Sequence, residues 1–143
     1  MSFRQFICLM MWGAMLVAAP ARADMVVVMS ENSSVEHLSR EQVINIFMGR
    51  YRKLPDDTVA TPLDTGRDTP ERQLFYRLLL NKTLAEINAY WARLLFSGKT
   101  AAPEDVESER KVLERVAHDP QALGYVDRQH LSGHVKVVYE LGE

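Results

Sequence analysis

Met25-Val26-Val27-Val28-Met29 constrains the fold more than any other stretch of this chain. Five consecutive apolar residues, three of them β-branched, read as a buried strand. The segments after it alternate between helical and extended patterns. Ser39-Arg40-Glu41-Gln42 is a capping box that opens a short helix, with Val43, Ile44 and Phe47 on one face and Gly49 as its stop. Val59 to Leu63 reads as a short strand, with Pro62 suited to an edge or a strand end. Thr69-Pro70 opens a second helix, proline being favoured at the first helical position. Leu74, Phe75, Leu78 and Leu79 form its expected buried stripe. A second capping box, Thr83-Leu84-Ala85-Glu86, opens a third helix carrying Leu84, Ile87, Trp91, Leu94 and Leu95 on one face, stopped at Gly98.

Residues 99–103 read as a linker and 105–117 as a further helix, with Val106, Val112, Leu113 and Val116 inward. Ala122 to Val126 and Val135 to Tyr139 read as the last two strands. The expected order is β-α-β-α-α-α-β-β, without internal repeats. Strands interspersed with helices predict an α/β layered domain, a mixed sheet flanked by helices.

The first 23 residues read differently. Arg4, an apolar run from Phe6 to Val17 and a small-x-small site at Ala21-Arg22-Ala23 form the three-part pattern of a secretory signal, with cleavage expected after Ala23. The run is shorter than the roughly 20 apolar residues of a permanent span. The expected division is therefore 1–23 signal peptide and 24–143 a single periplasmic domain, with no membrane span after processing. The only cysteine, Cys8, lies within the signal and follows Ile7, which does not suit lipidation. The remaining chain of about 120 residues holds 15 basic and 19 acidic residues, a formal charge of about −4. No basic stripe emerges, so nucleic acid is not an expected partner.

The search for catalytic chemistry returns no nucleophile elbow, no phosphate-cradling P-loop and no H-E-x-x-H motif, so neither an enzyme nor a cofactor is expected. His130 and His134 have H-x-x-x-H spacing, but Ser132-Gly133 between them reads as loop and no third ligand is close in sequence, so no metal is expected. Trp91 falls on an apolar stripe; Tyr90 lies off its centre.

The loop from Asp64 to Thr69 carries the most chemistry. It leaves a strand and enters a helix, where free N–H groups and the macrodipole favour an anion. Thr65, Gly66, Arg67, Asp68 and Thr69 are the candidate ligand-binding residues, with Ser30 after the first strand as a further one. In that reading Arg67 supplies charge, Thr69 and the amides supply hydrogen bonds, and Asp68 selects a protonated ligand. The same residues also allow an ordinary helix start, with Asp68 or Thr69 as N-cap and Arg67 paired to Asp64 or Asp68.

Leu38-Ser39-Arg40-Glu41-Gln42-Val43-Ile44-Asn45-Ile46-Phe47-Met48-Gly49-Arg50 resembles a stretch of the periplasmic phosphate-binding proteins, the solute receptors of phosphate ABC transporters. Pro62 to Phe75 occupies the place of that family's strand, anion loop and helix. Ala122-Leu123-Gly124-Tyr125-Val126 resembles its Ala-Ile-Gly-Tyr-Val strand. The resemblance implies a type 2 periplasmic-binding-protein-like fold, about one lobe of it, with a small oxyanion such as phosphate as ligand. It also implies the periplasmic face of an inner-membrane transporter or sensor as partner. Where the family has Asp-Gly-Ser-Gly-Thr after an arginine, this chain has Asp64-Thr65-Gly66-Arg67-Asp68-Thr69-Pro70, and Pro70 removes one amide donor. A ligand-free module that docks on a membrane sensor, transporter or envelope complex is the alternative expectation.

Overall fold

A computed structural model of the chain describes residues 24–98 and 100–142; the expected signal peptide lies outside the described residues. Among the described residues, five strands and four α-helices run in the order β1 (Met25–Ser30), α1 (Arg40–Phe47), β2 (Thr61–Thr65), α2 (Pro70–Leu80), α3 (Leu84–Ser97), β3 (Glu104–Val106), α4 (Glu109–His118), β4 (Ala122–Asp127) and β5 (Val135–Leu141), with a short 3₁₀ turn at Arg128–His130 between the last two. The sheet is mixed, in the order β3-β2-β4-β1-β5. β2 runs parallel to both β3 and β4, while β1 is antiparallel to β4 and β5.

Why β1 lacks polar alternation is now plain. Met25, Val27 and Met29 point into the core beneath α1, α2 and α3, and Val26 and Val28 point into the core beneath α4. Both faces of the central strands are covered, as the period of two requires. Both capping boxes form. Ser39 Oγ accepts from the Gln42 amide at 3.1 Å while Gln42 Oε1 accepts from the Ser39 amide at 2.8 Å, and Thr83 and Glu86 repeat the exchange.

Four expectations change. Residues 104–106 are not helical: they form the edge strand β3, in register with Leu63, Asp64 and Thr65, and α4 starts only at Glu109, capped by Ser108. The strand expected over Val59–Leu63 lies two residues later, and only Val59 forms an isolated bridge, with Lys53. The inward face of α2 is Phe75, Tyr76 and Leu79 together with Arg72, whereas Leu74 and Leu78 are half-buried. On α3, Ile87 and Trp91 are buried but Leu95, one turn beyond Trp91, is 59% exposed.

Gly124 shows how closely α4 sits on the sheet. Leu123 and Tyr125 face the α1–α3 side, so Gly124 faces α4, and a Cβ placed there would fall on Val112 Cγ1. The glycine permits the contact.

Candidate functional site

β2 delivers Asp64 into the interior, and three side chains gather on it. Arg72 Nε donates to Asp64 Oδ2 at 3.2 Å, Tyr125 Oη donates to Oδ1 at 2.7 Å, and Tyr76 Oη lies 3.1 and 3.0 Å from the two oxygens. Tyr125 in turn accepts from the Thr65 amide at 3.2 Å. Burial pushes the Asp64 carboxyl above its ordinary value, against the pull of the Tyr125 hydroxyl and the Arg72 charge. Burial beside a carboxylate pushes both phenols up as well, so they remain protonated donors.

Arg72 is thereby fixed in place. Its Nη1 donates to the Arg67 carbonyl at 3.0 Å and to Asn88 Oδ1 at 3.2 Å, which ties the loop before α2 to α3. Nη2 has no partner among the described residues. Phe75 stacks on Tyr125 with ring centroids 3.8 Å apart and planes at 8°, and Phe47 meets Phe75 edge-on at 4.7 Å. The three sequence stretches that carry the family resemblance thus meet in one aromatic cluster, under the loop that begins at Asp64.

Two hollows flank this loop. The first is a cleft of about 500 Å³ lined on its polar side by Arg67, Asp68, Arg72, Asn88 and Asp105, and on its apolar side by Trp91, Leu95 and Pro103 among others. The second, of similar size, lies where β2 and β3 end and where α2 and α4 begin. Thr65, Thr69, Ser108, Glu109 and His130 line it.

The candidate residues divide between the hollows. Arg67 and Asp68 are exposed and line the cleft with Arg72. Thr65 and Thr69 line the other hollow. The Thr69 hydroxyl is engaged within the chain: it accepts from the Arg72 amide at 3.2 Å, as an N-cap, and donates to the Thr65 carbonyl at 2.7 Å. Gly66 adopts φ +40° and donates its amide to the Val106 carbonyl. Thr65 Oγ1 is buried without a partner among the described residues. Ser30 is not brought to the loop. The register pairs Met29 and Pro62 with the same residue, Leu123, so Ser30 lies at the end of the sheet where β2 starts, away from Thr65 where β2 stops. There the Ser30 hydroxyl accepts from the Asn32 amide at 3.1 Å.

Sequence reasoning named Asp64 as the start of the loop and a possible partner of Arg67, and missed Arg72, Tyr76 and Tyr125 as its partners. Arg72 and Tyr76 lie on a helix whose leucines dominate the pattern, and their burial depends on a carboxylate from another element. The ion pair between Arg67 and Asp64 allowed for in the sequence does not form; Arg72 holds that carboxylate. His130 and His134 do not converge on a common site: His130 Nδ1 meets Glu109 Oε2 at 2.5 Å, and His134 Nδ1 meets Glu31 at 2.8 Å. No group of three or more potential metal ligands gathers among the described residues, and no described helix is long and apolar enough to cross a membrane.

No protein-family model and no curated protein matches the sequence. Solved structures match the fold. An ABC-type phosphate transport receptor from Vibrio cholerae aligns with a TM-score of 0.63 at 18% identity, over 81% of this chain and 46% of its own. A Clostridium perfringens protein described as a phosphate ABC transporter substrate-binding protein, with bound phosphate, aligns with a TM-score of 0.63 at 14% identity, over 81% of this chain and 45% of its own. PstS from Borrelia burgdorferi gives 0.55 at 17% identity, over 74% of this chain and 42% of its own. The chain spans less than half the length of these proteins. The fold is that of about one lobe of a phosphate-binding protein: a five-stranded mixed sheet flanked by helices, as expected from the sequence.

Proposed function

We propose that this domain is a periplasmic solute-binding or ligand-sensing module, not a catalyst, and that it takes a small oxyanion in the cleft beside the loop from Asp64 to Thr69. The observation that carries the reading is the pair of guanidinium groups on one cleft. Arg72 is held by Asp64 and Asn88, and exposed Arg67 follows the same strand end. A preorganised guanidinium suits carboxylate and phosphate oxygens, because its donors are planar and always charged. Likeness of fold to proteins described as phosphate receptors supports the same reading, and the missing Gly-Ser-Gly-Thr makes phosphate one candidate among several oxyanions. The periplasmic setting rests on the signal-like pattern of residues 1–23, and an inner-membrane transporter or sensor is the partner proposed with it.

A second reading is favoured by one specific observation. Leu95 and Phe96 end α3 at 59% and 94% exposure, beside the cleft, in a chain that spans less than half of its structural relatives. Under that reading the domain docks on an envelope protein through this corner and needs no small ligand. Calorimetric titration with phosphate, sulfate and acetate separates the two. Oxyanion binding that is lost in Arg67→Ala supports the first. Absence of any heat, with capture of an envelope protein that fails in a Leu95→Ser/Phe96→Ser variant, supports the second.

A further inference from the structure

The cleft lined by Arg67 and Arg72 is less polar than a bare oxyanion needs. It is open to solvent, and its lining rather than its size sets it apart. Its composition is split. Trp91, Leu95, Ala102 and Pro103 make an apolar wall, and Leu95 is a large apolar side chain left 59% exposed there. A wall of this kind beside a few fixed polar groups is the usual build of a site for an organic ligand.

The charges narrow the class. Asp64 neutralises Arg72, which leaves Arg67 as the remaining cation and Asp68 and Asp105 as carboxylates with no ion-pair partner among the described residues. A simple anion gains from Arg67 and is repelled by the two aspartates. A ligand that carries both signs gains from each. We infer that the cleft takes a small zwitterion with an apolar body, of the class of α-amino acids with an apolar side chain: carboxylate toward Arg67 and the free edge of Arg72, ammonium toward Asp105 and Asp68, side chain on Trp91 and Leu95. This rests on the solute-binding reading of the same cleft and names the class of solute.

The test is a calorimetric titration of the purified chain with leucine, glycine, 4-methylpentanoate, 3-methylbutylamine and inorganic phosphate. Leucine binds tightest. Loss of its ammonium in 4-methylpentanoate, or of its carboxylate in the amine, weakens binding about tenfold, the size expected for a hydrogen bond to a charged group. Glycine, without the apolar body, is at least about tenfold weaker. Asp105 is exposed, so Asp105→Asn folds normally; it weakens leucine and, by removing a repelling charge, tightens 4-methylpentanoate. Phosphate binding as tightly as leucine, or leucine and 4-methylpentanoate binding alike, overturns the zwitterion while the oxyanion reading stands. No heat with any of the five overturns both.

Discussion

Asp64 and Arg72 form an ion pair at 3.2 Å with both side chains 7% exposed, and through it the interior of the sheet holds the loop above it. Such a pair adds little net stability compared with an apolar pair, but removing one partner strands the other charge. Asp64→Asn is therefore expected to destabilise the domain by about 3–5 kcal/mol in equilibrium denaturation. Replacing both residues, Asp64→Leu with Arg72→Met, is expected to recover part of that loss while abolishing any anion binding.

Thr65 is the converse case. It is 1% exposed, and its Oγ1 has no partner among the described residues. Valine has the same shape without the hydroxyl. Relief of a buried unsatisfied group predicts that Thr65→Val raises stability by about 1 kcal/mol. A fall in the denaturation midpoint would show that the hydroxyl is satisfied by something the chain itself does not supply.

Gly124 tests the packing of α4. Since a Cβ there falls on Val112, Gly124→Ala must push the helix away from β4. The expected loss is about 1–3 kcal/mol, and a companion Val112→Ala change should restore part of it. Additive losses in the double variant would contradict the contact.

Much of this fold was legible because it is written locally. The capping boxes at Ser39 and Thr83, the Thr69-Pro70 start and the run from Met25 to Met29 each state their own structure. β3 was not legible, since Glu104-Asp105-Val106 is two exposed acids and one valine, and it is a strand only because β2 offers a parallel edge. Arg72 and Tyr76 were hidden for a similar reason. A polar residue on a helix reads as solvated until a buried acceptor from elsewhere is known, and that acceptor is Asp64. Ser30 follows β1 as the loop follows β2, but the antiparallel run of β1 sends it to the other end of the sheet, which no local pattern shows.

His130 provides a pH-dependent link. The hydrogen bond and charge of Glu109 raise its pKa above the ordinary value of about 6.5, with smaller help from Asp127 and Glu71. Glu109 also accepts from the Asp127 amide at 2.8 Å, so it ties the start of α4 to the turn after β4. A base whose folded pKa is raised contributes stability that is complete below about pH 6.5 and fades as pH rises through the raised value. The His130 ring followed by NMR should titrate above 6.5, and Glu109→Gln should bring its midpoint down. A midpoint unmoved by that change would contradict the pairing.

The central claim is that the Arg67 and Arg72 cleft binds an oxyanion-bearing solute, and calorimetry on the wild-type chain and Arg67→Ala in parallel tests it most directly. The account predicts saturable heat with at least one phosphate-, sulfate- or carboxylate-bearing solute, weakened about tenfold or more in Arg67→Ala, whose fold is unchanged because Arg67 is exposed. Equal affinity in the two proteins, or no binding of any such solute by the wild type, would contradict it.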